Sequence, residues 1–289
     1  MTEITLGHGD ARATIGLLGA EARRWRIAGR DLLWPGDTAY WPDISPILYP
    51  VVGWTRDGEE RVDGVRYKLG LHGFARLEIF AVETLTHDFA RLTVGDSSHT
   101  RAVYPFAFAL AVEYRLSADA LAIAIEVANP GERRAPYACG LHPGFRWPLG
   151  SAGREGAMVQ FERNERPEVR DLAPGGLVRA TTRPIPLSGR NLPLSDALFE
   201  RDALLILDCE SRSLAFIDAS GASVTMEYES FQHCALWTRP PAPFLCLEAW
   251  TGYSDTEGFT GDLFEKPGMR VVEPGERARH EARFVFRPQ

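Results

Sequence analysis

The sequence predicts a large, mainly antiparallel all-β domain, and three observations predict it. Short apolar runs with two-residue alternation recur along the 289 residues, each bounded by Gly, Pro, Asn, Asp or Ser. Long segments of helical periodicity are missing. The 27 glycines and 20 prolines fall mostly between the runs, where turns need them.

Taken in chain order, the runs are Arg76–His87, Phe106–Ser117, Leu121–Pro130, Leu204–Ser211, Ser213–Ser220 and Ala222–Ser230. "SADA", between Leu116 and Leu121, has the composition of a hairpin turn, as does "DASGAS" at Asp218–Ser223. The best helical candidates are short, near Ser195–Phe199 and Gly261–Phe264. Glu162 to Arg190 is rich in Arg, Glu, Pro and Gly and weakly periodic. It is expected to be a long surface excursion with a few irregular strands, not a linker, because the strand patterns on either side are alike. No period of 20 to 50 residues repeats, which argues against a propeller or solenoid. One domain over 1–289 is the expectation, since all-β domains reach this length.

Composition narrows the function. Apolar residues make up 45% and charged residues 25%, ordinary for a soluble globular protein. The net charge of −7 is spread without a basic block, which argues against nucleic acid as a partner and fits a small neutral or weakly charged ligand. No apolar run approaches the ~20 residues that span a bilayer, and the N-terminus has no signal-peptide pattern, so no membrane partner is expected and a cytoplasmic location is the default. Cys139, Cys209, Cys234 and Cys246 are scattered, without metal-ligand spacing. No glycine-rich phosphate loop, G-x-S-x-G elbow or H-E-x-x-H motif is present. Neither a metal nor a cofactor is expected.

Three segments concentrate chemistry-bearing residues: "LGLHGFAR" at Leu69–Arg76, "CGLHPGFRWPL" at Cys139–Leu149 and "PFLCLEAWTG" at Pro243–Gly252. Each alone has an ordinary structural explanation: a hydrogen-bonded turn histidine, a solvated strand-end glutamate, packing aromatics. Together they offer more. A glutamate among apolar neighbours, Glu248, has its pKa raised toward working pH, which suits a general base. His72 and His142 can exchange protons near neutrality. Phe74, Phe145, Trp147 and Trp250 provide apolar faces of the kind that line ligand sites. His8, His87, His99 and His280 stand in polar, turn-like contexts and are expected at the surface; His233 is expected to be structural.

The whole chain resembles the aldose 1-epimerase (galactose mutarotase-like) family, in particular a bacterial branch of short members. The resemblance is carried in order by "ATIGLLGAEARRWRIAGRDLLWPGD", "YWPDISPILYP", "HGFAR" at His72–Arg76, "HPGF" at His142–Phe145, "FLCLEAWTG", and "KPGMRVVEPGE" at Lys266–Glu276. It implies a large antiparallel β-sandwich with few short helices and a sugar groove on its concave face. It also implies that His142 is the general acid, Glu248 the general base, and His72 a substrate-holding histidine. Arg76, Asp202, Phe145 and Trp250 become candidate substrate-binding residues. The reaction implied is interconversion of the α and β anomers of an aldose by ring opening and reclosure, without a cofactor; the sequence itself is compatible with a monomer or a homodimer.

Two departures stand out. Many relatives carry an arginine before the "P-I-L-Y-P"-like segment, where this chain has Asp43. Gly144 replaces a residue that is commonly larger. Two other functions compete: a non-catalytic carbohydrate-binding protein on the same scaffold, and a glycoside hydrolase or lyase pairing Glu248 with Asp202 or Asp255.

Overall fold

The computed structural model describes residues 2–151 and 153–289. Its main layer is a nine-stranded antiparallel sheet, running in space from Asn191–Pro193 through Met158–Phe161, Ser213–Ile217, Ser223–Tyr228, Arg277–Arg287, Ala120–Ala128, Ala109–Leu116 and Phe89–Gly95 to Ala81–Leu85. Facing it is a second sheet of Leu204–Ile206, His233–Trp237, Phe244–Trp250, Gly140–Leu141 and Ile47–Leu48, with Gly144–Arg146 also paired to Phe244–Trp250. A four-stranded N-terminal sheet spans Glu3–His8 to Arg30–Asp31. The two main layers share one apolar core, in which Phe145 from one sheet meets Phe284 from the other at 5.5 Å between ring centroids. The architecture is an antiparallel β-sandwich.

Both expected hairpins form. Ser117 closes the first by donating to the Ala120 carbonyl, and Asp218 closes the second onto Ala222. The excursion between 162 and 190 holds the irregular hairpin Glu168–Leu172/Val178–Pro184, bulged between Arg170 and Leu172. The two helical candidates are short 3-10 turns, Asp196–Phe199 and Leu263–Glu265. Arg76–His87 is strand only over Ala81–Leu85; its first residues belong to the 3-10 turn Ala75–Leu77, closed by the Leu77 amide donating to the Phe74 carbonyl at 2.8 Å. Among the described residues no helix is long and apolar enough to cross a membrane.

The sheet facing the site is covered on both sides, so its strands do not alternate in polarity. All seven residues of Phe244–Trp250 are buried. Parity still separates the faces. Leu245, Leu247 and Ala249 enter the sandwich core, while Phe244, Cys246 and Trp250 join clusters on the opposite, concave face. On the neighbouring strand Cys234 and Leu236 face the core, and Ala235 and Trp237 the concave side. The registers Ala235 to Glu248 and Trp237 to Cys246 set these side chains abreast.

Candidate active site

The concave face holds a cavity of about 370 Å³, lined by His72, Arg76, His142, Asp202, Glu248 and Trp250 among others. Six of the seven expected site residues thus converge. They arrive from four separate stretches of chain, and only Glu248 and Trp250 lie on a strand, so the packing of loops over the sheet brings the set together.

Phe145 is the exception. The sequence expectation placed it against the substrate, but its ring is 1% exposed and packs on Trp25 at 6.4 Å and on Phe284 in the core. The cause is parity. His142 projects to the concave side, while Cys139, Leu141 and Phe145 belong to the core cluster beneath. Asp255 is also removed as a second carboxylate. It is buried, accepts a hydrogen bond from the Arg56 amide at 2.7 Å, and pairs with the buried Lys266 ammonium. His280, expected at the surface, is 6% exposed, with Nδ1 3.2 Å from the Ser230 carbonyl and Nε2 2.9 Å from the Tyr137 hydroxyl. His233 is buried, and its Nδ1 accepts from the Asp208 amide at 2.9 Å.

At the cavity floor His142 Nε2 lies 3.2 Å from Glu248 Oε2. Glu248 is 1% exposed, and Oε2 has no hydrogen-bond partner. Burial drives both groups toward their neutral forms: the His142 pKa falls to about 3, and that of Glu248 rises well above the carboxylate range. Burial thus favours a neutral imidazole beside a protonated carboxyl. The imidazole is framed by two tryptophans, Trp41 tilted over it at 5.1 Å and Trp237 edge-on at 5.8 Å.

His72 enters from the side. It adopts φ +61°, and its Nδ1 accepts the Gly53 amide at 3.0 Å. That bond fixes the neutral tautomer, so Nε2 carries the hydrogen and is a donor. Desolvation holds its pKa well below the usual imidazole value. The unusual backbone needs Gly73 next to it, because a Cβ there would sit 2.3 Å from the Tyr49 carbonyl oxygen.

Asp43, which stands where many relatives carry an arginine, is itself paired with one. Arg76 Nη1 reaches Asp43 Oδ2 at 3.2 Å, and both residues line the cavity. Asp202, at φ +73°, caps its own loop through Oδ1 to the Ala203 amide at 2.8 Å. Gly144 explains itself by shape: a Cβ would meet the Trp41 ring at 2.8 Å. Its smallness lets Trp41 settle beside His142.

Sequence reasoning missed Trp41, Trp54 and Trp237, which with Trp250 give the cavity an aromatic lining. "AYWPD", beside Asp43, was the available signal for Trp41; nothing local marked Trp237. The excursion also contributes, with Leu172 and Gly176 forming part of the wall. Cys246 was overlooked as well. It stands two residues before Glu248 on the same strand face, and a single ligating atom from each of His142, Cys246 and Glu248 fits within a 4.8 Å set.

Comparison with known proteins places this sandwich and its concave cavity in a defined class. The profile of the family described as Aldose 1-epimerase matches residues 2–285, and the chain belongs to that family. It is 29% identical to the chromosomal LacX protein of Lactococcus lactis subsp. lactis over 257 residues, 85% of this chain and 86% of that one. A galactose mutarotase related enzyme from Lactobacillus acidophilus is 25% identical, with a TM-score of 0.91 over 99% of this chain and 97% of its own. A galactose mutarotase-like protein from Lactobacillus casei ATCC 334 shares the fold, with a TM-score of 0.92 over 99% of this chain and 100% of its own at 24% identity.

Proposed function

We propose that this protein is an aldose 1-epimerase that interconverts the anomers of an unphosphorylated sugar. The observation that carries the reading is the 3.2 Å approach of His142 to Glu248 at the cavity floor. The ring oxygen and the anomeric hydroxyl of a cyclic sugar sit on one carbon, so an acid and a base that serve them must themselves be adjacent. A glycosidase places its two carboxyl groups about 5 Å apart or more across the scissile bond, and Asp255, one of the two candidates for its second carboxylate, is held by Lys266.

In the reactive form the proton sits on His142 and Glu248 is ionised; transfer within the pair reaches this state without solvent. Glu248 removes the proton of the anomeric hydroxyl as His142 protonates the ring oxygen, and the hemiacetal C–O bond breaks. Rotation beside the aldehyde presents its other face. Reclosure returns the protons to their starting groups. His72 Nε2–H donates to a sugar oxygen, while Asp202 accepts from hydroxyls at the rim. Trp250, Trp41 and Trp237 take the C–H faces of the ring.

Two features support a neutral substrate. Asp43 neutralises Arg76, and Arg239, the other lining arginine, donates to the Tyr40 carbonyl at 2.9 Å. A retained acid–base pair also favours an enzyme over a pure binding protein, which has no use for one.

The test is polarimetry or anomeric-proton NMR on freshly dissolved α-D-glucose and α-D-galactose. The wild type should speed equilibration, and Glu248→Gln should lower kcat by about 10²- to 10⁴-fold, the usual worth of a general base. Full activity in Glu248→Gln would remove that residue from its role. Sugar binding with no acceleration at all would favour the binding protein.

A further inference from the structure

Cys246 is a nucleophilic side chain that the epimerase reaction does not use; it is buried with Trp34, Ala242 and Phe244 and does not line the cavity, yet its thiol lies close to His142 and Glu248, which do. We infer that Cys246, His142 and Glu248 form a binding site for one thiophilic divalent cation, of the Zn²⁺ or Cd²⁺ class, which closes the acid–base pair when bound.

Geometry carries this inference first. A tetrahedral ion with bonds of about 2.0–2.3 Å holds its ligand atoms roughly 3.3–3.7 Å apart. His142 Nε2 and Glu248 Oε2 already stand 3.2 Å apart, and the set including the thiol fits within 4.8 Å. Closing the rest takes a shift of about 1 Å, within reach of rotation about the cysteine Cα–Cβ bond. Glu248 Oε2, almost fully buried, has no other partner to give up. Among the described residues this is the one such group in which histidine, cysteine and carboxylate atoms come together.

Charge and hardness agree. A thiolate and a carboxylate supply two negative charges and neutral imidazole none, so a dication leaves the desolvated floor uncharged. Sulfur and imidazole donors select soft and borderline ions over Mg²⁺ or Ca²⁺. Binding breaks the Cys246 S–H and Glu248 O–H bonds, releases two protons to solvent, and forms one metal–sulfur, one metal–oxygen and one metal–nitrogen bond. Water or a sugar hydroxyl from the cavity that His142 and Glu248 line completes the shell. An ion so placed takes the lone pairs of both proton-transfer groups, and on the proposed epimerase reading it inhibits.

The experiment titrates the purified protein with CdCl₂ in a non-coordinating buffer, read by calorimetry and by the ultraviolet thiolate-to-cadmium charge-transfer band. About one equivalent should bind with the band appearing. Cys246→Ser should abolish the band. His142→Asn and Glu248→Gln should each weaken binding by at least about tenfold, since even the outer partners of a metal ligand are worth that much. Circular dichroism verifies that each variant is folded. Absence of the band in the wild type would overturn the site, as would a band retained in Cys246→Ser, which would put the ion on another thiol. Unchanged affinity in both His142→Asn and Glu248→Gln would reduce the site to a single thiol and also overturn it. These readouts do not need turnover, so the site stands or falls separately from the epimerase reading. Where anomer exchange is measured, cadmium should suppress it in proportion to occupancy and EDTA should restore it. Full occupancy with undiminished exchange would overturn the inhibitory role.

Discussion

Glu248 and His142 show what burial does to a titrating pair. Each would be charged over a part of the ordinary pH range in water, and each is pushed to neutrality in the dry cavity floor. The buried histidines also bear on acid stability. His142 and His233 are held at about 3 and about 4 by burial, below the ordinary ~6.5 of imidazole. Between those values the unfolded chain binds protons that the folded chain refuses, so this stabilising contribution is present above about pH 6.5 and is lost as pH falls toward 3–4. A thermal-unfolding series from pH 7 to 4 should show Tm falling, and His142→Asn with His233→Asn should flatten the slope. An equally steep slope in the double variant would assign acid sensitivity to other groups. Phe145 supplies the contrasting residue. Phe145→Ala should cost about 3–5 kcal/mol of stability, as large aromatic truncations in cores do, and leave KM for the sugar unchanged. A raised KM with intact stability would return Phe145 to the binding surface.

At the scale of the element, the strand Phe244–Trp250 does most to build the site. Its even-numbered residues give the cavity Glu248 and Trp250 and place Cys246 beside them, while its odd-numbered residues build the sandwich core. The partner segment Gly144–Arg146 must be thin where it passes Trp41. Gly144→Ala puts a methyl group 2.8 Å from that ring. The indole has to move, taking the wall of His142 with it. Kinetics should show kcat/KM reduced by about tenfold to a hundredfold, the range associated with ångström-scale misplacement, with about 1–3 kcal/mol lost to overpacking in a denaturant titration. Unchanged kcat/KM would mean that Trp41 does not position the imidazole.

Across the whole molecule, Lys266 ties remote segments together under the rim. Its ammonium is buried, pairs with Asp255 and lies 3.4 Å from Glu60 Oε1. The Asp255 amide in turn donates to the Trp54 carbonyl, and Gly53, Trp54 and Ser254 line the cavity. Lys266→Met leaves Asp255 buried without its cation; Glu60, pushed up to about 7 by burial, can shed its charge by taking a proton. Denaturant unfolding should show a loss of about 3–5 kcal/mol, the cost of breaking one side of a buried ion pair. A loss below about 1 kcal/mol, the worth of an exposed pair, would mean that water reaches the cluster.

Local sequence determined the strand content, the two hairpins at Ser117–Ala120 and Asp218–Ala222, the irregular excursion and the short 3-10 turns, because alternation and turn chemistry act between near neighbours. The motif order also marked out His72, His142 and Glu248, which the fold brings to one cavity. Tertiary structure alone decided which face each side chain took. Where both sides of a sheet are buried, core-facing and site-facing positions are alike apolar, so nothing local distinguished Phe145 in the core from Trp237 at the cavity. The guanidinium beside Asp43, the approach of Lys266 to Glu60 and the meeting of Cys246 with His142 all join residues far apart in the chain. Apart from Cys246 and Glu60 these groups sit on loops and turns, so the packing of loops against the sandwich is the physical reason those partners meet.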